Sequence, residues 1–514
     1  MSRINTNVTS MIAQRVLGQN NSSLNVSLER LSTGLRVNRG KDDPSGLIAS
    51  ENLRAEKTAL TNAISNAERA DQVVNIAEGG LDEISRLLNE LQGLVTQTAN
   101  SEGLSGEEKE ANQLQVDSIL QTIDRVSSST SFQGTKLLNG NFEYSVTGVN
   151  GQVADYQVNG AKLAYNGTRD VEVLVTQSAQ AAGYFLSFGG GVVDLTDSSD
   201  LFVFEVAGNE GSRELSFASG ATLADVAAAV NSFTDVTGVE ATVSGTGIRL
   251  DSTGYGSDEF VSLRVVDDGN IAAGDGVHAL SATNTAEAQV ATTAFSAITN
   301  KITDTGQDVR ATINGIVATT KGTQARINTD FLDVEIDLNY DASAGTANAA
   351  VLGAISAFTI EGGGADFQLA GEVNIAGRVS LGIQDVSSRK IGQTTLDFTG
   401  SDVNYHLSDL GVGKALNLAE GNTDGAQKVI ERSIREVSSL RGRLGAFQKN
   451  TVGATVRNLN VAMENTTAAE SVIRDADFAS ESATLTRSQI LVSSATNILG
   501  IANSQPQNAL QLLG

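Results

Sequence analysis

The chain has 514 residues and a mass of 53.4 kDa, with no Cys, no Trp, two His, two Pro and a net charge of −25. The absence of Cys excludes disulfides and thiolate chemistry, and His278 and His406 form no His-Glu-x-x-His motif, so a zinc-protease helix is excluded too. The acidity opposes nucleic acid and anionic membrane as partners, and no stretch reaches the roughly 18–20 consecutive apolar residues of a membrane span.

Charge and aromatic content divide the chain into three. Residues 1–140 carry a net charge of −4, 141–400 carry −20 and 401–514 carry −1, and 19 of the 23 aromatic residues lie in the middle stretch. Two similar ends thus flank a different centre. The opening MSRINTNVTSMIAQRVLG lacks the apolar core and small-residue cleavage site of a secretory signal. The expectation is a chain that stays in the cytosol or leaves by a route needing no cleaved signal.

Leu17, Leu24 and Leu31 repeat every seven residues, with Leu28 and Leu35 between and beyond them, which predicts an amphipathic helix with one apolar stripe. A second helix is predicted from residue 60. Leu60, Ala63, Ala67, Ala70, Val74, Ala77, Leu81, Ile84, Leu88, Leu91 and Val95 follow alternating steps of three and four without a polar interruption. That 3.5-residue period asks for a partner helix along about 50 Å, at 1.5 Å per residue. Gly79, Gly80 and Gly93 each cost about 1 kcal/mol relative to Ala, which packing must offset. Val116, Ile119, Ile123 and Val126 predict a third helix folding back on the second.

Between 141 and 400 the period changes to two. Runs such as LFVFEVAG, RELSF, VEATVSGTGIRLDS, FVSLRVVDDG, RATINGIVATT, LDVEIDLNY and FQLAGEVNIAGRVSLGIQDV alternate between turn residues and predict antiparallel sheets, with TLADVAAAVNSF as one short helix. Asp333, Glu335, Asp337 and Asn339 share one strand face. That face either binds a cation such as Ca²⁺ or is simply solvated, and the missing EF-hand pattern favours solvation. The GTG at 245–247 and GYG at 254–256 lack phosphate-loop spacing and read as hairpin turns.

The C-terminal stretch returns to helical spacing. Ala426, Ile430, Ser433, Val437, Leu440, Leu444, Phe447, Thr451, Ala454, Asn458 and Val461 repeat the 3,4 ladder, with Asn458 a candidate register-setting polar residue. Phe478, Leu485, Val492 and Leu499 repeat at seven, flanked by Ala495 and Ala502. One such stripe at each terminus predicts that the two ends pair, and each order only when covered. The fold class is therefore α + β multidomain, with terminal helices in a coiled-coil or helical-bundle core and β-rich domains inserted between them.

LSTGLRVNRGKDDPSGLIA at 31–49 resembles the N-terminal signature of bacterial flagellins. RDADFASESATLTRSQIL at 474–491 and ANSQPQNALQLLG at 502–514 resemble the C-terminal one. Residues 219–256 look like the repeat inserted in longer flagellins. The resemblance implies five segments: 1–45 and 466–514 as an inner coiled-coil layer, 46–140 and 401–465 as a surrounding bundle, and 141–400 as surface domains. It places Leu17, Leu24, Leu28, Leu31, Leu35, Phe478, Leu485, Val492 and Leu499 in an inner assembly seam. Leu60, Val74, Leu81, Ile84, Leu88, Leu91, Val95, Ile430, Val437, Leu440, Leu444 and Phe447 fall in a bundle seam. It also implies a secreted, extracellular homopolymer for motility, exported unfolded through a type III apparatus. The implied partners are an export chaperone and the cap and hook–filament junction proteins, with no cofactor, metal or catalytic group. Alternatives are the junction protein itself and a subunit whose centre serves adhesion or glycan display. Where many enterobacterial flagellins carry an Arg and a Glu read by an innate immune receptor, alignment on GLDEI and TAN puts Glu90 and Gly93, with Leu94 retained. Reversed charge at that contact predicts weak receptor activation in a cell reporter assay.

Overall fold

The computed structural model describes residues 6–100, 103–164, 167–197, 199–271, 276–280, 292–338, 352–397, 402–420 and 422–511. It divides into two compact units. One comprises 1–75, 367–378 and 442–514, and the other 76–366 and 379–441.

The first unit is helical. Helix α1 (Val8–Thr33) begins at Asn7, whose side chain accepts from the Ser10 N–H, and ends where Gly34 adopts φ 73° and donates to the Arg30 carbonyl. Helix α2 (Pro44–Thr98) begins with Pro at its first position, where a missing N–H is harmless. Asp43, just before it, accepts from the Gly46 N–H at 2.9 Å.

In the second unit, the later half of α2 pairs with α3 (Gly106–Ser129), which opens on a capping box between Ser105 and Glu108. The two run antiparallel: Asn112 donates to Thr98 at 3.0 Å, while a Cβ on Gly80 would lie 2.7 Å from the Thr130 hydroxyl. Val116, Ile119 and Ile123 are buried, but Val126 is only half-buried. Its neighbour Ser127 takes the inner position and donates to the Leu138 carbonyl at 2.7 Å. The polar face of α3 holds the segment returning from the sheets. Gln113 bonds the Leu410 carbonyl and the Leu418 N–H, Asp117 accepts from Val412, and Asp124 accepts from Ser388.

The rest of the second unit is antiparallel β. One lobe joins a five-stranded sheet (316–317, 310–313, 169–177, 353–363, 144–147) to a four-stranded one (319–321, 324–328, 332–338, 153–161) over a shared apolar core. Leu332, Val334, Ile336 and Leu338 face into that core, and their alternates face out: Asp333 pairs with Arg326 at 3.2 Å and Asp337 accepts from Thr323 at 2.6 Å. Asn339 lies outside the described residues. The carboxylates on this face are thus engaged by protein donors. Among the described residues no group of three or more His, Asp or Glu is placed to hold a metal ion.

A second lobe has sheets 292–294, 276–279, 183–187, 247–252, 239–244 and 302–305, 260–267, 201–207, 212–218. Helix α4 (Leu223–Asn231) packs into its core, which is centred on Phe202, Phe204, Phe188 and Phe295, and α5 (Thr234–Thr237) follows. This lobe enters and leaves through one bridge, with Gln180 and Gln307 exchanging backbone hydrogen bonds of 2.8 and 2.9 Å. Gly245 does turn the hairpin between 239–244 and 247–252. The GYG at 254–256 does not, because the strands on either side of it belong to different sheets. Gly256, at φ 117°, crosses between them where a Cβ would come within 2.7 Å of the Gly322 Cα.

Helix α6 (Thr423–Ala446) returns the chain to helical structure, followed by a π-helical turn at Phe447–Val452, helix α7 (Gly453–Arg474) and helix α8 (Phe478–Gln511). The expected ladder holds along α6 and fails beyond it. Ala454, Asn458 and Val461 are exposed, and Val452, Leu459 and Thr466 are buried instead. A π turn inserts one residue and turns the following stripe by about 100°, so each inner position moves on by one. The Gly453 N–H bonds the Gln448 carbonyl five residues back, as that geometry requires. Asn458 therefore sets no internal register.

Two adjacent glycines of α2 differ in what surrounds them. A Cβ on Gly79 meets nothing within 4 Å, whereas on Gly80 it meets Thr130 and Leu138 below 3 Å. Gly79→Ala should stabilise the protein by about 1 kcal/mol, and Gly80→Ala should fail to stabilise and lower the melting temperature, as thermal unfolding followed by circular dichroism would read.

Candidate assembly surfaces

Within the helical unit, α1 and α8 lie antiparallel. Asn7 donates to the Ala502 carbonyl at 2.7 Å, Ser10 to Asn503 at 2.6 Å and Asn20 to the Leu491 carbonyl at 3.4 Å, and Arg30 lies 3.8 Å from Glu481. The covered stripe of α1 reads Ser10, Ala13, Leu17, Asn20, Leu24, Ser27, Leu31, and that of α8 reads Glu481, Leu485, Ser488, Val492, Ala495, Leu499, Ala502. Both keep the 3,4 spacing. Small and hydroxyl residues alternate with the large apolar ones, so the helices approach closely but bury little apolar surface. Leu35 is half-buried and forms a bridge with Asp475. Leu28 stands just past the seam position held by Ser27 and is 46% exposed. Phe478, the first residue of α8, is 70% exposed. Met11, Ile12 and Val16 on α1 and Ile490, Leu491, Ile498 and Ile501 on α8 are exposed as well.

The two sequence signatures meet in space. After Gly34, the Arg36 N–H donates to the Arg474 carbonyl at 2.7 Å, the Ala476 N–H donates to Gly34 at 2.9 Å, and the Arg36 guanidinium reaches the Ile473 carbonyl at 2.7 Å. The loop to α2 is closed by its own acids. Hydrogen bonds from the Arg39 backbone hold Asp42 below the ordinary carboxylate pKa, and those from the Gly46 backbone do the same for Asp43. Glu29 binds Arg39 at 2.9 Å and accepts from Asn38. Spacing alone does not disclose these contacts. The density of Gly, Asp, Asn and Pro between two apolar stripes is the signal for a tight loop.

The first half of α2 packs antiparallel on α7. Leu459 meets Leu60 and Ala63, Glu470 faces Arg54 and Lys57, Arg474 faces Glu51, and Gln448 donates to Asp71 and Asn75. Val74, Leu444 and Phe447 are buried, as are Leu81, Ile84, Leu88, Leu91, Val95, Ile430, Val437 and Leu440 in the other unit. There Arg441 pairs with Asp82 at 2.9 Å and with Glu78 at 3.4 Å.

One cleft of about 260 Å³ opens in the second unit, lined by Glu143, Asp155, Glu335, Asp337, Asp385 and Glu436 with Lys390 and Arg432. Burial pushes Glu143 and Asp155 above their ordinary pKa, against the pull of Lys390 on the first and of Arg432 on the second.

A family model described as the bacterial flagellin N-terminal helical region matches residues 4–143, its C-terminal counterpart matches 427–513, and a flagellin hook IN motif matches 202–254. The chain belongs to the bacterial flagellins. Flagellin A of Helicobacter pylori is 27% identical over 539 aligned residues, and a Salmonella typhimurium flagellin 29% over 540, each covering 99% of both chains. A flagellin of Salmonella rubislaw is 28% identical with the same coverage. Among solved structures, flagellar hook associated protein-3 of Legionella pneumophila covers 82% of this chain and 97% of its own at 10% identity and a TM-score of 0.28. This flagellin is a structural subunit of the flagellar filament. The IN motif falls on the second lobe, spanning its strands from 202 to 252 and helix α4.

If the buried stripes serve assembly, a charge in either should prevent it. Leu88→Asp is expected to cost several kcal/mol and Val492→Asp less, because that site is half-buried; both should abolish filaments in negative-stain electron microscopy.

Proposed function

We propose that this flagellin is exported as an unfolded monomer and polymerises outside the cell by burying the exposed apolar faces of α1 and α8 against further copies. The observation that carries this reading is the pair of terminal helices, whose shared seam is thin while Met11, Ile12, Val16, Ile490, Leu491, Ile498 and Ile501 remain in water. Contacts of a heterologous kind leave an open patch on the last subunit, so growth continues as a helical filament instead of closing into a ring. Cap and junction proteins at the filament ends, with an export chaperone and a type III apparatus before them, are the partners this role requires. The chain has no enzymatic part in it. The two β lobes are display surface, and their acidity keeps neighbouring filaments apart. Full-length agreement with relatives named as flagellins supports the filament subunit over the junction protein.

The bridge between Gln180 and Gln307 gives a clean test. Replacing residues 181–306 by a short Gly-Ser link should leave filament length in electron microscopy and swimming in soft agar largely intact. Loss of polymerisation, with the remaining fold preserved, would show that the second lobe takes part in assembly.

A further inference from the structure

The second lobe joins the first through the strands at Gln180 and Gln307, whose backbones exchange two hydrogen bonds. Two neighbouring strands make a single line of attachment. Compact lobes joined in that way swing against each other unless a contact away from the line stops them. The carboxylate of Asp308, beside the bridge, makes such a contact.

Asp308 belongs to the first lobe. The next residue, Val309, is buried in that lobe's core and donates to the Gly322 carbonyl at 2.9 Å. Asp308 Oδ1 accepts from the Gly322 N–H at 2.8 Å and from the Ser257 N–H at 3.0 Å, and Oδ2 accepts from the Ser257 hydroxyl at 2.5 Å. Gly322 turns the hairpin between 319–321 and 324–328 of the first lobe, whereas Ser257 stands in the crossover between the two sheets of the second. One carboxylate thus ties a turn of each lobe to the other. The backbones also meet there: a Cβ on Gly256 would lie 2.7 Å from the Gly322 Cα, and one on Gly322 would lie 2.7 Å from the Tyr255 carbonyl oxygen.

We infer that Asp308 is a latch that locks the second lobe onto the first in one orientation. Together with the bridge it holds the second lobe at two separate segments, its entering and leaving strands and its crossover at 256–257, so a swing about the bridge breaks the bonds from Ser257 to a charged acceptor. An ionised carboxylate suits the task because it only accepts, and its two oxygens serve three donors at once. Burial acts to raise the Asp308 pKa, but the hydrogen bonds from Ser257 and Gly322, with the Lys321 ammonium nearby, bring it below the ordinary value, and the group stays charged. Lys321 also pairs with Asp258 across the joint at 3.1 Å. Both of those side chains are largely exposed, and such a pair adds little.

Because the chain contains no Cys, two introduced thiols carry spin labels without competing sites. Leu174→Cys in the first lobe and Val243→Cys in the second are exposed strand positions. Double electron–electron resonance on the full-length monomer should give a single narrow distance between them. Asp308→Ala should lose it and give a broad distribution. Asp308→Asn, whose amide oxygen can accept the same two N–H groups, should stay close to the native width. Circular dichroism shows whether the lobes remain folded. If Asp308→Ala does not fold, Ser257→Ala, at an exposed position, carries the test from the other side of the joint and should broaden the distribution to a smaller degree. A narrow distance retained in every folded variant overturns the inference, and so does a broad distribution in the chain that keeps Asp308 and Ser257.

Discussion

The structure depends on helices from the first hundred residues finding helices from the last hundred. α1 meets α8, and the first half of α2 meets α7, each antiparallel and each at sequence separations of roughly four hundred residues or more. Local propensity does little here: α1 and α8 carry thin stripes of Leu, Ala and Ser, and helices of that kind hold only when another surface covers them. Closing so long a loop costs entropy that rises slowly with length, so several hundred residues between the partners are tolerable. The β lobes occupy that loop without having to take part in the closure.

Pairing the ends places the family's two signatures side by side. Gly34 and Arg36 come from the first, and Arg474 and Ala476 from the second, and their backbones form a short two-stranded contact where α1 and α7 both end. The positive φ of Gly34 is what lets the chain leave α1 and meet the incoming strand. A Cβ there would find open space, so the restriction at this position is one of backbone conformation alone.

Much of this was legible in the residues. The ladder from Leu60 to Val95 forms one helix with its apolar face inward, and the period-two runs of the centre form the expected strands except over 369–377, within FQLAGEVNIAGRVSLGIQDV, which forms none. Thr222 and Asp225 cap helix α4 among them, as a Thr-x-x-Asp start suggests. What the residues did not disclose are events of one residue or of one contact. The π turn moves a seam by a single position, and both stripes it separates have helical spacing, so periodicity alone does not choose between them. The GYG crossover depends on which sheet each flanking strand joins. The grip of Gln113, Asp117 and Asp124 on distant backbone has no signal beyond three polar residues on one helix face.

The bridge at Gln180 and Gln307 has a further consequence for the way such a chain can vary. Its two strands run antiparallel and side by side, so the second lobe hangs from a pair of attachment points about 5 Å apart. Any compact domain whose own termini lie that close satisfies the same boundary condition, whatever its fold. The position thus has the geometry of a socket, a pair of neighbouring strand ends that fixes where a lobe attaches and not which lobe it is.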